Sequence, residues 1–117
     1  MRNEALLIAS AAIRAAEPYE NTKKLIEELF KDSSDVTVIS VGKAACPMMR
    51  AAEDVLGNRI KNGLTVTKYR HSEGFSFNRS RVIEAGHPIS DDNSILAAEA
   101  GLSMVEGLGS EDDVLVL

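Results

Sequence analysis

Apolar positions along the chain follow helical spacing in some stretches and run continuously in others. Asn3 to Ala16 is alanine-rich, with Leu6, Ile13 and their neighbours on one side, which predicts a helix. Pro18 ends it. A second helix is predicted from Asn21, acting as its cap, with Leu25, Ile26, Leu29 and Phe30 as a narrow apolar stripe. Lys23, Lys24, Glu27 and Glu28 form its solvated face, and Asp32 to Asp35 make a loop. Val36 to Val41 is a short, β-branched, mostly apolar run that suits a strand buried on both faces. Ala45, Met48, Met49, Ala52, Val55 and Leu56 mark one face of a third helix. Pro47 lies in its first turns, where a missing N–H costs little, and Gly57-Asn58 stops it. Gly63 to Thr67 reads as a second strand and Arg81 to Ala85 as a third, ended by Gly86-His87-Pro88. Ser90 or Asp91 caps a last helix with the stripe Ile95, Ala98, Leu102, Val105 and Leu108, closed by Gly107 and Gly109. Asp113 to Leu117 starts a fourth strand.

This alternation of strand and helix predicts an α/β fold, a Rossmann-like, mostly parallel sheet flanked by helices. A parallel strand normally leads into a covering helix. Ending on Val114-Leu115-Val116-Leu117 therefore reads as a domain truncated after a strand, the N-terminal part of a longer chain. An apolar edge left uncovered invites self-association, which leaves room for a homo-oligomer.

Composition narrows the function classes. The 117 residues suffice for one domain, and 44% apolar with 26% charged residues is ordinary for a soluble globular protein. A net charge of −5 with no Lys/Arg run argues against nucleic-acid binding. One cysteine excludes an internal disulfide and fits a reducing compartment, and no apolar stretch is long enough to span a bilayer. Arg2 followed by Ala5 to Ala12 falls short of a signal peptide, because Glu4 interrupts the basic region and Arg14 sits where cleavage needs small neutral residues. These features predict a cytoplasmic protein.

Candidate chemistry centres on Gly42-Lys43, at the turn from the first strand into the third helix. Glycine permits a tight turn and a close backbone approach, and a helix N-terminus beside an ammonium group favours a phosphate or carboxylate. A Walker A loop is excluded by Thr37 and Ala44, and the further glycines of a dinucleotide fingerprint are missing, which sets a nicotinamide-dependent reductase aside. The residues alone leave a second reading open, a plain strand-to-helix turn with a solvated lysine.

In an open α/β sheet, ligands bind beyond the carboxyl ends of the strands. Those ends carry Gly42-Lys43, Lys68 to His71, and Gly86-His87. Parallel strands would gather Lys43, Lys68, Arg70 and His71 around one cleft, with Glu73 as the opposing charge, and so point to an anionic ligand. His87 either touches that ligand or shapes its loop, being held extended by Pro88. Cys46 reads as a small, partly buried side chain rather than a reactive thiolate. No metal-ligand spacing and no Ser-His-Asp arrangement is present.

Three ordered motifs carry a resemblance. Val41-Gly-Lys-Ala-Ala45, Gly63-Leu-Thr-Val-Thr-Lys-Tyr69 with His71, and Glu84-Ala-Gly-His-Pro88 with Asp91 are together similar to the glycerate 2-kinase family. This is the ATP-dependent group with a C-terminal MOFRL domain, sometimes labelled hydroxypyruvate reductase. The match covers nearly the whole chain. The resemblance implies phosphoryl transfer from ATP, with Mg²⁺, to the 2-hydroxyl of D-glycerate, giving 2-phosphoglycerate. It implies that Lys43, on Gly42, binds substrate or the transferred phosphate, and that Lys68, His71 and His87 occupy further site loops. Arg70 stands where relatives often carry a small residue. In the family, the strand matching Val114 to Leu117 runs into a Ser-Gly-Gly-Gly-Ser phosphate loop, and neither that loop nor the MOFRL domain falls within these residues. Beside a glycerate kinase portion that is inactive alone, the chain is also compatible with a free-standing α/β module that holds a small anionic or phosphorylated ligand without chemistry.

Overall fold

The computed structural model describes residues 1–32 and 35–117; Ser33 and Ser34 of the predicted Asp32–Asp35 loop lie outside them. Helices α1 (Arg2–Ala15) and α2 (Pro18–Leu29) precede strand β1 (Val36–Val41) and helix α3 (Ala45–Leu56). A 3₁₀ turn (Gly57–Arg59), strands β2 (Ile60–Lys68) and β3 (Ser80–Ala85), helix α4 (Asp92–Glu106) and strand β4 (Asp113–Val116) follow. The strands form one sheet in the order β3-β2-β1-β4, and every neighbouring pair is parallel. The predicted parallel α/β architecture is thus present.

Period-two alternation divides the sheet between two cores. Val36, Val38 and Ile60 pack with Ile26 of α2 and with Met49, Ala52 and Leu56 of α3. Leu64 and Ile83 pack instead with Ala97 of α4, flanked by Val66, Ala100 and Met104. Helices therefore cover the sheet in two separate layers, as in a doubly wound fold.

Several sequence expectations need correction. Pro18 begins α2 rather than merely ending α1, since the amide it lacks would have been unpaired in the first turn. Glu17 is the cap, accepting from the amides of Tyr19 and Glu20, while Asn21 donates its side chain to the carbonyls of Ala15 and Glu17. Only Ile26 of the predicted α2 stripe is buried; Leu25 and Leu29 are exposed. Strand β1 is covered on both faces only at its start, and Val41 is 56% exposed. Strand β2 starts earlier than predicted, because Ile60 pairs with Val36 and is buried.

Helix α4 differs most. Its core side is Ala97, Ala100, Gly101 and Met104, whereas Leu102 of the predicted stripe is 58% exposed. Small residues let the helix approach the sheet closely: a Cβ at Gly101 would sit 3.7 Å from Cδ2 of Leu64. The larger residues Leu102 and Val105, with Ala98, line an open groove that Ala97 and Gly101 also border. Helix α1 buries none of its side chains, and Leu6, Leu7, Ile8 and Ile13 are all exposed. The radius of gyration, 16.1 Å, accordingly exceeds the about 13 Å of a compact domain this long.

Two glycines test this packing in opposite directions. A Cβ on Gly63 would lie 2.5 Å from the Arg79 carbonyl oxygen and 2.9 Å from Cα of Ser80, both backbone atoms of the neighbouring segment. Gly63→Ala is expected to cost about 1–3 kcal/mol through overpacking. Gly101→Ala meets only ordinary contact in a helix interior and is expected to stabilise by about 0.5–1 kcal/mol. Urea unfolding of both variants checks the pair, and a like sign for the two would contradict this account.

Candidate functional site

Parallel pairing brings the turns after β1, β2 and β3 to one edge of the sheet. There a groove of about 700 Å³ opens between the sheet and α4. Ile39, Val41, Leu64 and Val66 supply its apolar floor, and Gly42, Lys43, Lys68 and His87 lie on its lining too. Four of the five residues singled out from sequence thus share one cavity. The fifth, His71, is absent from that lining.

The first turn is fixed by hydrogen bonds that leave its lysine free to reach outward. Gly42 has φ +118°, a conformation that L side chains rarely adopt, although a Cβ there would meet nothing within 4 Å. Its amide donates to the Val66 carbonyl at 2.9 Å, and the Thr67 hydroxyl donates to the Gly42 carbonyl at 2.9 Å. The buried Ser40 hydroxyl donates to the Ala45 carbonyl at 2.9 Å. Lys43 is exposed and, like Lys68, has no ion pair among the described residues. Helix α3 begins beside it with no side-chain cap, so its positive end is not neutralised locally.

The turn after β2 holds the remaining predicted residues. Nδ1 of His71 lies 3.3 Å from the Lys43 carbonyl, so this imidazole braces the lysine turn. Arg70 does not line the groove: it is exposed, pairs with Glu73 at 3.0 Å, and has φ +68°. Tyr69 donates its hydroxyl to Asp91 at 2.6 Å and accepts from the Asn93 amide at 3.2 Å. Asp91 also caps α4 in a reciprocal box with Ser94. The His87–Pro88 peptide is cis.

Glu73 is not the sole carboxylate near these cations, contrary to expectation. Glu84 and Asp91 enter the same loops, but each is engaged by donors. The Ser72 hydroxyl and amide, then the Arg70 amide and the His71 charge, hold Glu84 below the usual carboxylate range, against the opposing effect of desolvation. The Tyr69 hydroxyl leads the causes that lower Asp91, and the same bond raises the Tyr69 phenol. Both lowered carboxyls contribute stability that is present above the ordinary carboxylate range and is lost as pH falls through and below it. Cys46 is fully buried, and burial followed by the charge of Glu84 pushes its thiol up, consistent with a packing role. Among the described residues, no group of three or more His, Cys, Asp or Glu converges to hold a metal.

Sequence reasoning missed Glu84, Tyr69 and Asn93 as builders of this edge. A signal existed for the first. Ile83 and Ala85 are buried beside it, so alternation sends Glu84 to the opposite, α3-facing side, where a charge needs partners.

A family model described as a domain of unknown function, DUF4147, matches residues 4–117. The chain belongs to that family. A glycerate 2-kinase of Pyrococcus horikoshii is 39% identical over 127 residues, aligned with 100% of this chain and 28% of its own length. A D-glycerate 2-kinase of Thermotoga maritima is 38% identical over 117 residues, covering 100% of this chain and 27% of its own. The crystal structure of glycerate kinase from Thermotoga maritima superposes with a TM-score of 0.80 at 37% identity, over 96% of this chain and 26% of that one. A solved Pyrococcus horikoshii protein gives a TM-score of 0.79 at 37% identity, over 98% of this chain and 28% of that one. This DUF4147 chain therefore spans less than a third of the curated relatives it matches, and its parallel fold is the fold of that portion of them.

Arg70 offers a test of the site's backbone. A non-glycine residue in the left-handed region costs about 1–2 kcal/mol, and its exposed pair with Glu73 returns little. Gly is free of that penalty but loses more chain entropy on folding. Arg70→Gly is expected to stabilise by up to about 1 kcal/mol in chemical unfolding. A loss of similar size would show that the arginine side chain supports the turn.

Proposed function

We propose that this chain supplies the Lys43 cleft of a glycerate 2-kinase that transfers a phosphoryl group from ATP to the 2-hydroxyl of D-glycerate. The observation that carries the reading is an exposed lysine with no ion pair among the described residues, fixed at an uncapped helix N-terminus and on the lining of a groove. Similarity along the whole chain to two glycerate 2-kinases supports this choice of reaction. Phosphoryl transfer is catalysed mainly by positioning and by neutralising charge spread over the phosphate oxygens. The Lys43 ammonium does the second, helped by the α3 dipole. The Gly42 turn, locked through Thr67 and Val66, does the first. Lys68 and His87 border the same space and hold the carboxylate or phosphate of the substrate.

ATP would bring Mg²⁺ on its phosphates. Among the described residues no cage for that ion forms: Glu84 is engaged by Ser72, and Asp91 by Tyr69 and Ser94. The groove floor is aliphatic, so these residues alone do not enclose a donor and a small polar acceptor together. The 117-residue chain by itself is therefore expected to give no ATP-dependent phosphorylation of D-glycerate. A coupled assay that detects 2-phosphoglycerate at kinase-like rates would refute this.

In a polypeptide with the length of the relatives, Lys43→Ala is expected to lower kcat/KM by about 10²–10³, the usual cost of one such electrostatic contact. Its melting temperature should hardly move, since the side chain is exposed. Lys43→Arg should not restore full activity, because a planar guanidinium does not reproduce a compact ammonium beside backbone donors. Steady-state kinetics and thermal melts on both variants decide the matter. Wild-type kinetics in Lys43→Ala would remove the lysine from the mechanism, and a collapse of the melt would make it structural.

A further inference from the structure

Glu84, the penultimate residue of β3, lies on the sheet face away from α4, half-buried, where a carboxylate requires donors. Its Oε1 accepts both the Ser72 amide at 3.1 Å and the Ser72 hydroxyl at 2.7 Å, and the Arg70 amide adds a further backbone bond. It therefore grips the two residues that flank His71. Arg70, held at φ +68°, is in a conformation that an arginine keeps only when its surroundings impose it. His71 between them reaches the Lys43 carbonyl through Nδ1 at 3.3 Å.

We propose that Glu84 is a positioning residue for the Lys43 cleft: by holding residues 70 and 72 it aims His71 at the Lys43 carbonyl and so fixes the turn that presents the lysine. This role rests on the reading of the cleft as an anion site. It is distinct from general loop stability because of what His71 does. A carbonyl only accepts hydrogen bonds, so the contact requires hydrogen on Nδ1 and leaves Nε2 as the acceptor of the neutral ring. Free imidazole prefers the opposite tautomer. The tautomer of His71 thus reports whether the brace is in place. Tyr69 pins the same turn to Asp91 and Asn93, so losing Glu84 releases the His71 side of the turn while leaving the other side anchored.

The test uses the ¹⁵N-labelled 117-residue chain and the shifts of both imidazole nitrogens of His71, read at about pH 8, above the ordinary histidine range. Wild type should show the Nδ1–H tautomer. Glu84→Ala should move it to the mixture of a free histidine, shift the Lys43 and Ala44 amide signals, and weaken binding of inorganic phosphate about tenfold. Glu84→Gln, which keeps one acceptor oxygen, should recover most of the tautomer and most of the binding. A lowered unfolding midpoint in Glu84→Ala with the His71 tautomer and Lys43 signals unchanged would overturn the proposal and leave Glu84 a stabiliser only. Should Glu84→Ala fail to fold, Ser72→Ala removes only the hydroxyl donor; a partial shift of the tautomer supports the proposal and an unshifted tautomer overturns it. Absence of phosphate binding in wild type would count against the anion reading, and the tautomer would still decide the role of Glu84.

Discussion

Parallel hydrogen bonding of β1 between β2 and β4 is the constraint on which the molecule's arrangement depends. Val41 aligns with Val66 in that ladder, and Lys68 aligns with Ala85 in the next. Because all strands run the same way, each must hand its chain to a turn at the same edge. Residues 42–43, 69–72 and 86–88 are far apart in sequence and become neighbours only through this register. A slip of one residue would reverse the face of every side chain. It would carry the buried hydroxyls of Ser40, Thr65 and Thr67 to the α4 side, away from Ala45, Ser80 and Gly42.

Those hydroxyls explain how a mostly apolar sheet can end in a defined turn. Each is buried and each has a partner, two of them on backbone carbonyls around residues 42–45. Among the described residues, no buried side-chain nitrogen or oxygen lacks a hydrogen bond. Glu53 of α3 works similarly further along, accepting the amides of Asn78 and Arg79 at 3.2 and 2.6 Å and so fixing the approach to β3. Polar groups in this chain thus specify where the backbone goes, while the two aliphatic clusters hold it there.

Much of this was legible in the sequence wherever a local pattern has one physical meaning. The β-branched run at Val36–Val41 is a strand, Gly42 does take positive φ, and Asp91 does cap α4. Four of the five candidate residues do line one groove. What stayed hidden depends on distance in the chain. Nothing local shows that Ala97 and Gly101 meet Leu64 of the sheet while Leu102 stays exposed along the groove, because helical spacing gives a stripe but not its partner. Glu17 displaced Asn21 as the cap of α2, since a proline at the first helical position fits there as well as after a helix end. Arg70 looked like one more cation of the cleft. Its positive φ and its bond to Glu73 set it apart, and neither can be read from residue type.

Charge completes the physical picture. The chain is acidic overall, yet Lys43 and Lys68 meet no carboxylate within ion-pair distance among the described residues. Two acids of the same sheet edge are engaged by hydroxyl and amide donors instead: Glu84 by Ser72, and Asp91 by Tyr69 and Ser94. A carboxylate satisfied by neutral donors keeps its charge but has little need of a cation, so the lysines remain available to a ligand. The same bonds stiffen the loops that carry those lysines. One set of interactions therefore serves two ends, holding the cradle rigid and leaving its cations unpaired, which is the combination that a preorganised anion site requires.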